Sequence, residues 1–70
     1  MPAWVIVANS ADGSPLVLTE WLFGPVWSDV AAAKALNPPP RLFRDRWRAK
    51  RQARQLPRSL TPRCVRYGRL

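Results

Sequence analysis

Apolar positions fall into two regimes along this chain. Up to about residue 27 they cluster in short runs with the two-residue period of strands, and beyond residue 44 they thin to a stripe with the period of a helix. Trp4 to Ala8 (WVIVA) is apolar and β-branched, the pattern of a buried strand. Asn9 to Ser14 (NSADGS) is turn chemistry, tightest at Asp12-Gly13. Pro15 opens a second strand, where a missing N–H does least harm, and Leu16 to Phe23 (LVLTEWLF) continues it. Strict alternation puts Leu16, Leu18, Glu20 and Leu22 on one face, with Val17, Thr19, Trp21 and Phe23 on the other. Both faces carry apolar side chains, so both are expected to be partly covered. The short turn makes the two strands an antiparallel hairpin.

Gly24-Pro25 breaks the second strand, and Val26-Trp27 is expected to be a brief extended piece. Ser28 to Leu36 (SDVAAAKAL) predicts a short helix capped by Ser28, with Asp29 favouring its positive end and four alanines supporting it. Asn37 and the prolines at 38, 39 and 40 end it and form a stiff connector, a spacer rather than a proline-rich ligand. Arg41 to Phe43 is expected to pair briefly as a strand. Arg63 to Tyr67 (RCVRY) predicts the last strand, with Val65 and Tyr67 in the core and Cys64 on the opposite face.

Between them, Arg41 to Arg58 (RLFRDRWRAKRQARQLPR) organises the rest. At about 100° per residue, Ala49, Ala53 and Leu56 form a narrow stripe fit to lie against a sheet. Trp47, Lys50, Arg51 and Arg54 land on the opposite side, and Arg44 and Arg58 join them if the helix runs that far. Asp45 is the predicted N-cap and Pro57 the stop. Trp47 has two readings. A large aromatic is usually covered by a neighbouring loop, whereas an exposed one among cations can stack on a base or anchor a protein interface.

The predicted fold is therefore α+β. A small antiparallel sheet, made of the N-terminal hairpin plus the C-terminal strand, is packed by one main basic helix, with a short second helix beside it. Seventy residues are read as a single small domain, 1–70, with the connector at 37–40 inside it. So small a core is marginal. A homodimer or a larger complex is one way to add burial.

Charge sharpens the picture. The net charge is +8, and eleven of the twelve Lys and Arg residues lie after residue 40, against Asp45 alone. Such asymmetry points to a polyanionic partner. The bland alternative is a solvated basic face that only aids solubility. The chain begins MPAWVIVANS, without the charged start of a signal peptide, and no stretch reaches the length of a membrane span, so a cytoplasmic location is expected.

Candidate chemistry is sparse. There is no histidine, one cysteine, and four scattered acids. No carboxylate pair, phosphate-binding glycine loop, Cys–His arrangement or zinc spacing occurs, so neither catalysis nor a cofactor, metal or small-molecule substrate is expected. Cys64 beside Arg63 and Arg66 is either a thiol of lowered pKa or, by preference, a small packed residue.

Phe43 before a capped helix (Asp45), alanines four apart (Ala49, Ala53), Leu56, and a closing strand at Cys64, Val65, Arg66 and Tyr67 make a recurring layout. The order of elements is similar to a group of very small phage and mobile-element proteins, among them the anti-CRISPR proteins. That resemblance implies either DNA binding or the blocking of a bacterial defence complex. The expected function is thus non-catalytic engagement of nucleic acid or a nucleoprotein complex, through Arg44, Trp47, Lys50, Arg51, Arg54 and Arg58. The alternative is a protein-binding inhibitor acting on an acidic protein surface. A membrane-surface helix is weaker, because an alanine stripe buries little area in lipid. A ribosomal or other assembly component is the remaining class.

Overall fold

The computed structural model describes residues 3–36 and 39–70. Four strands, β1 (Trp4–Asn9), β2 (Pro15–Trp21), β3 (Pro25–Asp29) and β4 (Arg63–Arg66), form one sheet in the order β3-β2-β1-β4, every pair antiparallel. Two helices, α1 (Val30–Lys34) and α2 (Arg46–Ala53), complete the α+β fold, with short 3-10 turns at Arg58–Leu60 and Tyr67–Arg69. The brief extended piece expected at Val26-Trp27 is a full edge strand. The proline connector is described only in part, since Asn37 and Pro38 lie outside the described residues; Pro39 is exposed and Pro40 buried.

Strand β1 is central, and its run of β-branched residues is what lets it be buried on both faces. Ile6 turns to one side, where it meets Leu18, Phe43, Ala49 and Leu56 under α2. Val5 and Val7 turn to the other, where they meet Val17 and Ala33 of α1, with Val65, Tyr67 and Leu70 packed against them. Cys64 and Val65 point to opposite faces as the alternation requires, and each finds a core.

The hairpin turn is fixed by Asp12. Its carboxylate accepts from the Ser10 hydroxyl and from the Ser14 amide at 2.9 Å, while Gly13 takes a positive φ of 87°. These bonds favour the ionised form, Ser10 most, and lower the Asp12 pKa from 3.8 to about 2.

Strict alternation fails once, in β2. Leu18 pairs with Trp27 and Glu20 with Val26, so two residues of β2 span one step of β3 and Thr19 is the extra residue of a bulge. Thr19 is buried, and its hydroxyl donates to the Val26 carbonyl at 3.1 Å. The bulge shifts the phase by one residue, so Trp21 packs on the α2 side with Leu18 rather than opposite it. The strand also stops at Trp21, short of the expected Phe23. Leu22 and Phe23 are spent on the turn into β3, closed by the Leu22 amide on the Gly24 carbonyl at 3.1 Å, and both are exposed.

The start of α1 is also corrected. Ser28 belongs to β3, opposite Val17, and its buried hydroxyl has no hydrogen-bond partner. Asp29 is the N-cap instead, accepting from the Ala32 amide at 2.7 Å. Asp29→Ala should therefore cost about 1 kcal/mol, the usual worth of a cap. Ser28→Ala should be neutral or stabilising, because it removes an unsatisfied buried hydroxyl. Denaturant unfolding of the two variants checks the assignment, and the reverse order would restore Ser28 as the cap.

Arg41–Phe43 does not become a strand but makes one bridge. Beta pairing of β1 with β2 covers Val7 to Asn9, and nearer the start of β1 Trp4 pairs with Phe43 instead, through bonds of 2.9 and 2.8 Å. The Arg41 amide adds a bond to the Leu18 carbonyl at 2.9 Å. This short segment delivers the chain to α2 and seats Phe43 in the core beneath it.

Candidate functional site

Helix α2 is eight residues long and shorter than the stretch that predicted it. Its start is as expected: Asp45 is extended, and its carboxylate accepts from the Arg48 amide at 2.9 Å. Its end comes at Ala53, with Arg54 as the C-cap. Pro57 has no N–H to give the Ala53 carbonyl and keeps residue 56 out of the helical region. The chain tightens instead, the Gln55 amide bonding Gln52 at 3.0 Å and the Leu56 amide bonding Ala53 at 3.1 Å. Ala49 and Leu56 are buried against Ile6, Leu18 and Phe43, and Ala53 is half-buried beside them. Small residues in the stripe bring the helix close to the sheet and leave its long side chains outside.

Those side chains sort into two clefts. Trp47, Lys50, Arg51 and Arg54 surround one of about 450 Å³, with Asp45 and Arg48 closing it. Trp47 is 77% exposed, so of its two readings the covered one is excluded. Trp4, Trp21 and Trp27, by contrast, pack against the core. The second cleft, about 670 Å³, lies between α2 and the segment leading into it, and Arg41, Arg44, Arg48 and Arg51 line it above Leu42 and Phe43. The Arg41 guanidinium rests over the Phe43 ring, 5.6 Å from its centre, a contact that holds it at the rim.

Of the six residues expected to act together, four meet around the Trp47 cleft. Arg44 precedes the helix and faces the second cleft. Arg58 lies in the 3-10 turn beyond Pro57 and lines neither cleft, because the helix ends before reaching it. Arg41 and Arg48 also line these clefts and were not among the six. Arg48 lies as far from the apolar stripe on a helical wheel as Lys50 does, on the other flank, and Arg41 reaches its cleft through the bridge at Phe43, which no periodicity announces.

Arg46 was missed as well. It lines a groove between α2 and β4 with Lys50, Arg54 and Arg63. Its guanidinium lies 5.9 Å from the Trp4 ring centre, and Arg66 lies 5.6 Å from the same ring, so two cations meet the half-buried indole. The i, i+4, i+8 spacing of Arg46, Lys50 and Arg54 was the available signal.

The electrostatics are one-sided. Among the described residues the only ion pair is Arg48 with Asp45, 3.4 Å apart and well exposed, which counts for little. Asp12, Asp29 and Asp45 are all engaged in turns and caps, and Glu20 is exposed on β2. The cations after residue 40 are otherwise uncompensated.

Cys64 sits in this basic region, half-buried. Burial raises its pKa, and the opposing pull comes from Lys50 and Arg46 of α2 rather than from its neighbours Arg63 and Arg66. It packs against the Ile6 cluster.

No protein-family model, curated protein or solved structure matches this chain. Its function must be read from the site itself. Among the described residues no helix is long and apolar enough to cross a membrane, and no group of three potential metal ligands occurs.

Proposed function

We propose that this chain is a non-catalytic binding protein, of the kind small phage and mobile-element genomes encode, that engages nucleic acid or a nucleoprotein complex through the outer face of α2. The observation that carries the reading is Trp47, 77% exposed amid Lys50, Arg51 and Arg54, cations with no carboxylate partner among the described residues. Leaving a tryptophan this bare in water gives up burial that would contribute about 1.5–3 kcal/mol in a core, and a helix so strongly basic repels itself. Both costs are recovered when a polyanion with flat, stackable rings covers the face. Guanidinium groups suit phosphate oxygens in geometry as well as in charge.

Titration of a nucleic acid probe across a salt series tests this. Binding should weaken with rising salt, by about 0.9 log units of affinity per log unit of salt for each phosphate contact on duplex DNA and about 0.7 on a single strand. A protein partner that survives nuclease treatment, with a flatter salt response, would instead favour an inhibitor acting on an acidic protein surface.

A further inference from the structure

The two clefts beside α2 are not independent. Arg48 and Arg51 line both, so their side chains form the wall between the Trp47 cleft and the Arg41–Arg44 cleft. Arg44 continues that wall toward the start of the helix. A row of guanidiniums therefore runs along α2, with a bare indole on one side and a cleft lined by Leu42 and Phe43 on the other.

Resting on the polyanion reading above, we propose that this face takes a single-stranded nucleic acid in preference to a duplex. The phosphates of the strand lie along Arg44, Arg48 and Arg51. One unpaired base stacks on Trp47, and the next nucleotide falls into the cleft rimmed by Arg41 and bordered by Gln52 and Gln55. The choice of strand follows from what an indole offers. It has one N–H donor, no acceptor, and a large π-face. Duplex readout uses base edges, by bidentate amides and guanidiniums reaching into a groove, and the base faces stay closed inside the stack. An exposed tryptophan gains its full contact only on a base whose face is open, and such stacking is tolerant of sequence. The helix also suits a strand better than a groove. It is eight residues long, about 12 Å, and it is pressed to the sheet along Ala49 and Ala53, so only its outer side is free. A flexible backbone can cross such a ridge and place bases on either flank.

The experiment compares a fluorescently labelled oligothymidine strand, an oligouridine strand of equal length and a duplex of equal length, against the unaltered chain, Trp47→Ala and Trp47→Phe. Either single strand should bind more tightly than the duplex. Trp47→Ala should weaken the single strand by about 5- to 140-fold, the range for a lost base–aromatic stack, while duplex affinity stays unchanged. Trp47→Phe should retain most of the binding, because the stacking face survives. Unchanged melting of both variants confirms that the exposed ring is not structural. Equal or tighter binding of the duplex, or a silent Trp47→Ala, overturns this proposal while salt-dependent binding leaves the polyanion reading intact. Absence of salt-dependent binding to all three probes overturns that reading, and the proposal with it.

Discussion

Ala49→Glu should unfold the domain. The Ala49 side chain is fully buried in a cluster with Ile6, Leu18, Phe43 and Leu56. A glutamate at this point must bury a charge or take up a proton, and must also force four further heavy atoms into a gap sized for a methyl group. Burying an unpaired ion costs several kcal/mol even after relaxation, and overpacking adds about 1–3 kcal/mol. A domain of 70 residues has roughly 4–10 kcal/mol to lose. Circular dichroism and thermal melting should therefore show no cooperative transition at room temperature, and raising the carboxyl's protonation by lowering pH should recover part of the fold. Ala53→Glu is the instructive contrast. Ala53 is half-buried at the end of the helix and lines the groove shared by Arg46, Lys50 and Arg63. A glutamate there can reach water and cations, so the loss should be small. A folded Ala49→Glu variant with native melting would mean that α2 does not rest on this stripe.

That contrast marks where sequence patterning stops being informative. Period and capping were legible: β1 through its β-branched run, the Asp12-Gly13 turn, the Asp45 cap, and the stripe of Ala49, Ala53 and Leu56 all rest on local chemistry. What escaped depends on partners distant in the chain. The bulge at Thr19 is set by pairing with β3, and it alone turns Trp21 toward α2. The choice of Asp29 over Ser28 as a cap follows from β3 extending to residue 29 and taking Ser28 into the sheet. The helix wheel likewise placed Trp47, Lys50, Arg51 and Arg54 on one side correctly. It could not place Arg41, which the Trp4–Phe43 bridge brings to the cleft, or bring Arg66 of β4 to Arg46 across the Trp4 ring. Angles around one helix do not specify what lies beside it.

Reversal of Arg51 and Arg54 together to glutamate should abolish most nucleic-acid binding and leave the fold intact. Both side chains are exposed on the outer side of the helix end, away from the buried stripe, and neither has a carboxylate partner to lose among the described residues. Stability should change by no more than about 0.5 kcal/mol, as for other surface sites. Each reversal removes a positive charge and adds a negative one, so the net charge falls from +8 to +4. On a single strand, losing the phosphate contact of Arg51 should flatten the salt dependence by about 0.7 log units of affinity per log unit of salt. Net charge alone also speeds encounter with a polyanion, so a weaker complex does not by itself locate the site. Lys34→Glu separates the two effects. Lys34 is exposed at the end of α1, on the opposite face of the sheet, and its reversal changes the charge by the same amount as Arg51→Glu. If α2 carries the contact, Lys34→Glu should shift affinity slightly and leave the salt slope as it was, whereas Arg51→Glu should lower both. Equal effects from the two single variants would reduce the basic helix to a contributor of bulk charge, with no binding face of its own.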